Sequence, residues 1–399
     1  MKNKYMPAAI SLYINYIIQG ISAIILAQNM EFLTGQFHTD KAGVAYVISG
    51  LGIGKLLVLF ISGVLSDRFG RKPFVLLGIA GYVVFFAGIL FSPNVAVAFI
   101  FAVIAGIANS FLDSGTYPAL METFPNATGT ANIIIKAFVA LGQFSLPLMI
   151  SFVVSNNLYF GYTFYVCIGA LLINGIFVLR QKYPPMNVAK PAAAAGGEET
   201  VKANFWIEGL ALILIGFTST ATFFIISVWL PTYGQEAAGM AANASRQLIS
   251  YYSIGSLVAV FITAVLVKKW VKPATFILIY PLISLACLFL LWANPTPAIA
   301  VFSAFVIGFT AAGGVLQLAL TTMAELFPSS KGKITGSVYT LCSLATFVCP
   351  VVTGRLAESN IKNVLVFNMA NTAVGVILAV IVLIRYRKVF KTHNMQKAA

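Results

Sequence analysis

Long apolar stretches recur along this chain, separated by short segments that carry turn residues and charges. A stretch of about 20 residues forms a helix long enough to cross the hydrocarbon core of a bilayer. Such stretches occur at 7–33, 43–66, 73–92, 95–121, 129–155, 159–181, 204–232, 244–267, 273–292, 296–324, 332–354 and 363–386. The pattern therefore predicts an all-α membrane protein with twelve transmembrane helices.

The segment 182–203 between the sixth and seventh stretches is small, polar and interrupted by prolines, which is typical of a flexible linker. The two parts that it joins are similar, because residues 129–147 align with 332–350 at a constant shift of 203 positions. Parallel repeats of six helices are typical of two-bundle transporters. We expect a six-helix bundle at 1–181, a cytoplasmic linker at 182–203 and a second six-helix bundle at 204–399.

Composition agrees with a protein whose main partner is the lipid bilayer. Hydrophobic residues make up 59% of the chain and charged residues 9%, against about 25% charged in soluble domains. The net charge of +14 does not indicate nucleic-acid binding, because the basic residues are scattered through short loops. With the N-terminus in the cytoplasm, nineteen Lys and Arg lie on the cytoplasmic side and four outside. This bias predicts that both termini are cytoplasmic.

Residues 63–73, between the second and third predicted helices, read GVLSDRFGRKP. This run resembles the signature loop of the major facilitator superfamily, G-x-L-x-D-R-x-G-R-K/R. A degenerate copy, AVLVKKWVKP, occupies residues 264–273. The resemblance implies a secondary transporter of a bacterial inner membrane that works by alternating access. It also implies that helices 1, 2, 4 and 5, with 7, 8, 10 and 11, line a central cavity.

Within the signature loop, Gly70 permits a sharp turn. The resemblance implies that Asp67 contacts the cytoplasmic end of helix 11, near Gly332, and latches the two halves in the outward-facing state. We expect the residues of this loop to serve gating. The alternative is that they are only topological charges at the membrane interface.

Two further acids close helices 4 and 10 on the same side of the membrane. We expect Glu122 to pair with Arg71, and Glu325 to pair with Lys272. These pairs belong to the same predicted gating group as Asp67 and Gly70.

Three charged residues lie near the middle of predicted helices, at Lys55, Asp113 and Lys136. A charge in hydrocarbon costs about 2.5–3.5 kcal/mol on insertion scales, so such residues face a protein-lined cavity. Two cations and one acid leave a net positive site, which an anionic substrate, most simply a carboxylate, would neutralise.

The acid among the three central charges is the natural candidate for proton coupling. Asp113 is expected to pair with Lys136 when the site is empty, and protonation of Asp113 would couple a proton to transport. The alternative is a permanent structural bridge between Asp113 and Lys136, with Lys55 bonded to nearby polar groups.

Neutral polar residues at similar depth suit the hydroxyl groups of a substrate. With Lys136 and Lys55, the candidate substrate-binding residues are Asn109, Gln19, Gln28, Tyr252, Gln317 and Tyr339. The segment 109–122, NSFLDSGTYPALME, also resembles helix 4 of a small bacterial subgroup that is loosely associated with quinate and shikimate metabolism.

The favoured function is proton-coupled uptake of a small hydroxylated or aromatic carboxylate, similar to shikimate or quinate. The alternative within the superfamily is a drug–proton antiporter. Residues 142–149, GQFSLPLM, lack the terminal glycines of the antiporter motif G-x-x-x-G-P-x-x-G-G in helix 5. A net basic cavity also disfavours cationic drugs.

Other functional classes have little support in the sequence. The two histidines, His38 and His393, lie in a loop and a tail, so a histidine-based catalytic dyad or metal site is not expected. The four cysteines show no metal-ligand spacing. We expect no enzyme activity and no cofactor or metal, and we expect a monomer. A non-transporting sensor and a proton-independent facilitator remain open.

Overall fold

Twelve long helices, α1 to α12, form the membrane-spanning body of the chain in the computed structural model. The structure describes residues 4–125, 127–185, 204–269, 272–327 and 331–398, and among these all twelve helices are long and apolar enough to cross a membrane. The bounds are α1 Met6–Gln28 with its continuation Met30–Phe37, α2 Lys41–Phe69, α3 Arg71–Phe91, α4 Val95–Thr123, α5 Thr128–Ser155, α6 Tyr162–Arg180, α7 Leu210–Glu236 after a π-helical turn Phe205–Gly209, α8 Ala242–Lys269, α9 Pro273–Ala293, α10 Pro297–Ile307, Gly308–Ala312 and Val315–Leu326, α11 Lys331–Ser359 and α12 Ile361–Ala398. The predicted all-α membrane fold is confirmed.

Local sequence signals fix several helix ends. The carboxylate of Asp40 accepts a hydrogen bond from the backbone N–H of Gly43 at 2.8 Å and caps α2. Asn94 caps α4 in the same way through the N–H of Val97, at 3.0 Å. Such caps satisfy N–H groups that would otherwise lack a partner at a helix start. Between α2 and α3, Gly70 adopts a φ of +98°, which favours glycine, so the chain reverses direction within one residue.

An even number of spanning helices brings both chain ends to one side of the bundle. We call that side the terminal face and the opposite side the far face. Helices α1–α6 form the N-terminal half of the molecule, and α7–α12 form the C-terminal half. Most of the predicted linker lies outside the described residues, which resume at Asn204.

The two halves pack closely in the far part of the membrane. Helix α2 lies against α11, and a side chain at Gly52 would place its Cβ 2.3 Å from the backbone nitrogen of Phe347. Small residues at helix contacts are how membrane helices approach each other closely. On the far side of the same interface, Gly354 lies against Ala42 and Ala45 of α2. Helix α5 similarly packs against α8.

Val47, in the far half of α2, is fully buried, whereas Phe60 in its terminal half is 82% exposed. The hydroxyl of Ser250 in α8 donates to the carbonyl oxygen of Phe144 in α5 at 3.0 Å, on the far side of the midplane. The two halves are therefore joined at the far face in this conformation.

Helix α10 differs from the continuous helix that its hydropathy predicts. It changes to a π-helix at Gly308–Ala312 and then breaks at Gly314, where φ is +135°. Adjacent glycines, Gly313 and Gly314, explain the break, because glycine tolerates this backbone conformation. Its counterpart in the first half, α4, runs unbroken through Val95–Thr123.

Candidate functional site

The carboxylate of Asp113 is the centre of a polar cluster inside the N-terminal half. One oxygen, Oδ2, lies 2.9 Å from the ammonium of Lys55, and the other, Oδ1, accepts a hydrogen bond from the hydroxyl of Tyr16 at 2.8 Å. The amide oxygen of Asn109 lies 3.4 Å from the same lysine nitrogen. The carboxylate on α4 thus has donors from α1 and α2, and Asn109 of α4 holds the lysine.

Close packing between α2 and α4 places Lys55 beside Asp113. A side chain at Gly54 would place its Cβ 2.0 Å from the carbonyl oxygen of Val103, and one at Gly106 would lie 2.2 Å from that of Leu51. Glycine at both positions therefore lets the two backbones meet. Asn109 and Asp113, four residues apart, share the face of α4 that meets Lys55.

Lys136 is exposed although it lies well inside the predicted span of α5. Its ammonium makes no hydrogen bond or ion pair with any residue that the structure describes, and it lies within electrostatic range of Lys55, Asp113 and Cys342. An exposed side chain at this depth borders an open space between the halves, because Cys342 belongs to α11 of the other half.

The structure pairs Asp113 with Lys55 and Tyr16, and not with Lys136 as the sequence predicts. Both oxygens of Asp113 already have partners, Lys55 and Tyr16, and both belong to helices that pack around α4. The permanent Asp113–Lys136 bridge is likewise not seen. The positive charge left over in the cluster therefore belongs to Lys136, which faces the open space.

The C-terminal half contributes neutral groups around the same space. Tyr339 of α11 is partly buried and lies within electrostatic range of Asp113. Gln317 of α10 is partly buried, and its side chain makes no hydrogen bond to a described residue. Tyr252 is a different case: it is buried, and its hydroxyl donates to the carbonyl oxygen of Phe223 in its own half at 3.3 Å.

The two predicted glutamines of α1 lie in different surroundings. Gln19 lies one turn beyond Tyr16 on the same helix face, and its buried amide oxygen has no hydrogen-bond partner among the described residues. Gln28 lies twelve residues beyond Tyr16, about 18 Å along the helix axis, in a separate cavity at the far face. Gln19 is thus near the central cluster, and Gln28 is not.

Sequence reasoning did not select two residues at or near this cluster. Tyr16 is fully buried, holds Asp113 directly and contacts the ring of Tyr117 edge-on, with 5.9 Å between ring centroids. Cys342 is buried on the opposite half beside Lys136. For Tyr16 a signal was available, because its depth in α1 matches that of the three charges. For Cys342 an apolar helix in the sequence offers no comparable signal.

The signature loop forms a second polar cluster, at the terminal face. Arg71 is buried, pairs with Asp67 and with Glu122, and donates to the hydroxyl of Ser66 at 3.2 Å. The Arg71 Nη2–Glu122 Oε1 distance is 3.3 Å, so the predicted Arg71–Glu122 pair is present. This cluster ties the ends of α2, α3 and α4 together.

Other gating predictions are only partly covered by the described residues. The side chain of Glu325 and the side chains of residues 331–335 at the start of α11 lie outside them. The expected partners of Lys272 and Asp67 are therefore not described. The ammonium of Lys272 lies 5.7 Å from the ring centroid of Tyr386. Asp67 keeps 59% of its side chain exposed while it pairs with Arg71.

Comparison with known proteins agrees with this architecture. The profile of the Major Facilitator Superfamily matches residues 12–350, most of the chain. The chain belongs to the Major Facilitator Superfamily. It is thus a multi-pass membrane transporter and not an enzyme, as its sequence predicts.

Relatives with similar sequences are also transporters. The inner membrane transport protein YdiM of Escherichia coli is 45% identical over 100% of this chain and 98% of its own length. The MFS-type transporter YfkL of Bacillus subtilis is 44% identical over 97% of this chain and 98% of its own length. Neither name states a substrate.

Among solved structures, the fold is similar to that of a D-xylose–proton symporter. The TM-score is 0.76, and the match covers 95% of this chain and 97% of the symporter at 14% identity. A nucleoside transporter, NupG, matches with a TM-score of 0.70 over 97% of this chain and 100% of its own, also at 14% identity. At this identity the likeness shows the fold alone.

Proposed function

We propose that this protein is a proton-coupled importer of a small hydroxylated or aromatic carboxylate of the shikimate or quinate kind. The observation that carries the proposal is the ammonium of Lys136, which has no hydrogen-bond or ion-pair partner among the described residues although the side chain borders the space between the halves. A charge in this position favours an anion that supplies the missing counter-charge. Neutral groups across the cavity, Tyr339 and Gln317, suit the hydroxyl or ring part of the same molecule.

Proton coupling would act through Asp113. Protonation of this carboxylate removes the charge that holds Lys55, and a second cation then becomes available to the substrate. Loss of the proton restores the Lys55–Asp113 pair and weakens the hold on the anion. Binding of the proton and of the anion would therefore favour each other, as linkage requires of a symporter.

Orientation and location belong to the same proposal. The excess of Lys and Arg at the terminal face supports a cytoplasmic position for both termini. The similarity to YdiM, an inner membrane transport protein, supports the inner membrane of a bacterium. The two bundles, 1–181 and 204–399, would rock against each other as a monomer, and the closed far face would then face the periplasm.

The test is thermal stabilisation of the purified protein by a ligand panel at acidic and neutral pH. The panel contains shikimate, quinate, aromatic carboxylates, neutral sugars and lipophilic cations. We expect carboxylates to stabilise the protein and Lys136→Ala to lose this effect. A charge-assisted contact contributes about 1.5–3 kcal/mol, so affinity should fall roughly ten- to hundred-fold.

Matched variants make the result specific. Lys136→Arg keeps the charge and should keep part of the stabilisation. Lys362→Ala, at the start of α12, removes a lysine outside the cavity and should behave as the wild type. Unchanged carboxylate binding in Lys136→Ala would overturn the anion site. Stabilisation by lipophilic cations alone would instead favour a drug–proton antiporter.

A further inference from the structure

Helix α6 carries a single carboxamide, Asn174, and turns it inward. Asn174 is 5% exposed, whereas its neighbours Ile173 and Phe177 are 62% and 56% exposed. Its Nδ2 donates to the backbone carbonyl oxygen of Ser11 and to the side-chain oxygen of Asn15, both at 2.8 Å. Both acceptors belong to α1. Helix α6 thus holds α1 through two hydrogen bonds from one amide.

These hydrogen bonds lie beside the residue of α1 that contacts the central carboxylate. Asn15 directly precedes Tyr16, whose hydroxyl donates to Oδ1 of Asp113 at 2.8 Å. Successive residues of a helix point about 100° apart. Asn15 therefore meets α6, and Tyr16 meets α4, at one level of α1. The rotation of α1 that satisfies Asn174 is also the rotation that brings the Tyr16 hydroxyl to Asp113.

The membrane makes the rotation of α1 depend on such polar contacts. Between helices in lipid there is no hydrophobic driving force, so packing and hydrogen bonds determine how they meet. Asn15 is 1% exposed, and its Nδ2 has no hydrogen-bond partner among the described residues. Loss of the Asn174 amide would leave both polar atoms of Asn15 unpaired within that part of the chain. A buried unpaired amide is costly, so α1 would shift to relieve it.

We propose that Asn174 is a positioning residue for the central carboxylate. It acts through α1, because it fixes the helix rotation at which Tyr16 donates to Asp113. The proposal deepens the proposed function, since it rests on the role of Asp113 in transport. Its test follows the carboxylate itself and needs no substrate. Failure of this test and failure of carboxylate binding are therefore separate results.

The C-terminal half offers a matched control. In α12, Nδ2 of Asn371 donates to the carbonyl oxygen of Thr218 at 2.9 Å and to Oγ1 of Thr222 at 3.1 Å, both in α7. Each amide thus bonds a backbone oxygen and a side-chain oxygen four residues later on the first helix of its half. Among the described residues, α7 has no group bonded to Asp113. Asn371→Leu therefore removes a similar pair of hydrogen bonds without altering a contact of Asp113.

The experiment uses the fact that the chain contains three aspartates, Asp40, Asp67 and Asp113. Labelling of their carboxyl carbons with carbon-13 gives three signals in a nuclear magnetic resonance spectrum of the protein in lipid nanodiscs, and single Asp→Asn variants assign them. Tyr16→Phe removes the hydrogen bond and defines how the Asp113 signal responds to its loss. We expect Asn174→Leu to move the Asp113 signal in the same direction, while the other two signals stay in place.

The control variants separate positioning from stability. Loss of two hydrogen bonds should lower the melting temperature by a few degrees in both Asn174→Leu and Asn371→Leu. Only Asn174→Leu should move the Asp113 signal. Asn174→Gln keeps an amide donor and should return the signal towards its position in the parent protein. An unchanged signal in Asn174→Leu, or an equal movement in Asn371→Leu, would overturn the proposal.

A double variant tests whether Asn174 acts through Tyr16. When Tyr16→Phe has already removed the hydrogen bond, addition of Asn174→Leu should cause no further movement of the Asp113 signal. Movements that add in the double variant would overturn the proposed route. Asn15→Ala is the milder variant, because the carbonyl of Ser11 remains as an acceptor. It should move the signal less and in the same direction, and no movement in this variant would also contradict the proposal if Asn174→Leu failed to fold.

Discussion

At the scale of single residues, two lysines of similar depth have different surroundings. Lys55 already pairs with the carboxylate of Asp113 at 2.9 Å, in a partly buried site. Lys136 faces open space without such a pair. An incoming anion can therefore meet Lys136 without first breaking an existing interaction, which makes Lys136 the better first contact.

Asp113→Asn should separate exchange from accumulation. Asparagine keeps the shape of the side chain but cannot carry a proton, so transport would lose its link to the proton gradient. In proteoliposomes, we expect exchange of labelled substrate to continue and net uptake to stop at the external concentration. Asp113→Glu keeps a titratable group and should retain some accumulation. Full accumulation by Asp113→Asn would remove Asp113 from proton coupling.

The sequence predicts the depth of the central charges well and their pairing poorly. Depth follows from counting residues along apolar helices, and Lys55, Asp113 and Lys136 indeed lie inside them. Pairing depends on how each helix is rotated and how closely two helices approach. The contact of Gly54 and Gly106 that brings Lys55 to Asp113 joins helices fifty residues apart, and no local pattern in the sequence encodes it.

At the scale of helices, the contact between α2 and α4 holds the cluster in place. Gly54→Ala would push its Cβ into the carbonyl oxygen of Val103, at 2.0 Å, so the helices would have to separate. Overpacking of this kind costs about 1–3 kcal/mol. We expect a melting temperature lower by a few degrees and weaker carboxylate binding, because Lys55 moves with α2.

A second glycine of the same helix provides the control for that substitution. A Cβ at Gly63 would have no atom within 4 Å, so Gly63→Ala should leave both the melting temperature and binding unchanged. Equal behaviour of the two variants, measured by thermal unfolding in detergent, would mean that the close contact does not position Lys55.

Helix α10 shows where hydropathy stops being informative. Its apolar length predicts a single helix, yet the helix is π-helical at Gly308–Ala312 and broken at Gly314. Hydropathy measures only how apolar a segment is, so it does not distinguish a continuous helix from an interrupted one that is buried among other helices. The adjacent glycines were the available signal for the break, since glycine is the residue that tolerates a φ of +135°.

At the scale of the whole molecule, the fold was predictable because twelve apolar segments, a repeat and a signature loop agree. The conformation was not predictable, since the two halves can tilt towards either face of the membrane while the same residues remain exposed to lipid. Here the halves meet at the far face, where the ion pairs Lys41–Glu236 and Glu31–Arg246 connect them. At the terminal face Asp67 pairs within its own half, with Arg71, and stays largely exposed.

This arrangement predicts in which direction substitution of Asp67 shifts the conformational equilibrium. If Asp67 stabilises the opposite conformation by contact with the start of α11, it contributes little to the observed one, in which it faces solvent. An acid at a helix N-terminus contributes about 0.3–1 kcal/mol. Asp67→Asn should therefore raise the population that is closed at the far face, by about two- to five-fold.

Distances between spin labels at Lys182→Cys and Arg387→Cys, one in each half near the terminal face, measure this population. We expect longer distances in Asp67→Asn than in the parent protein, and parent-like distances in Asp67→Glu, which keeps the charge. A similar lengthening in both variants would mean that shape and not charge matters. An unchanged distribution in Asp67→Asn would mean that the acid only anchors Arg71 and does not latch the opposite conformation.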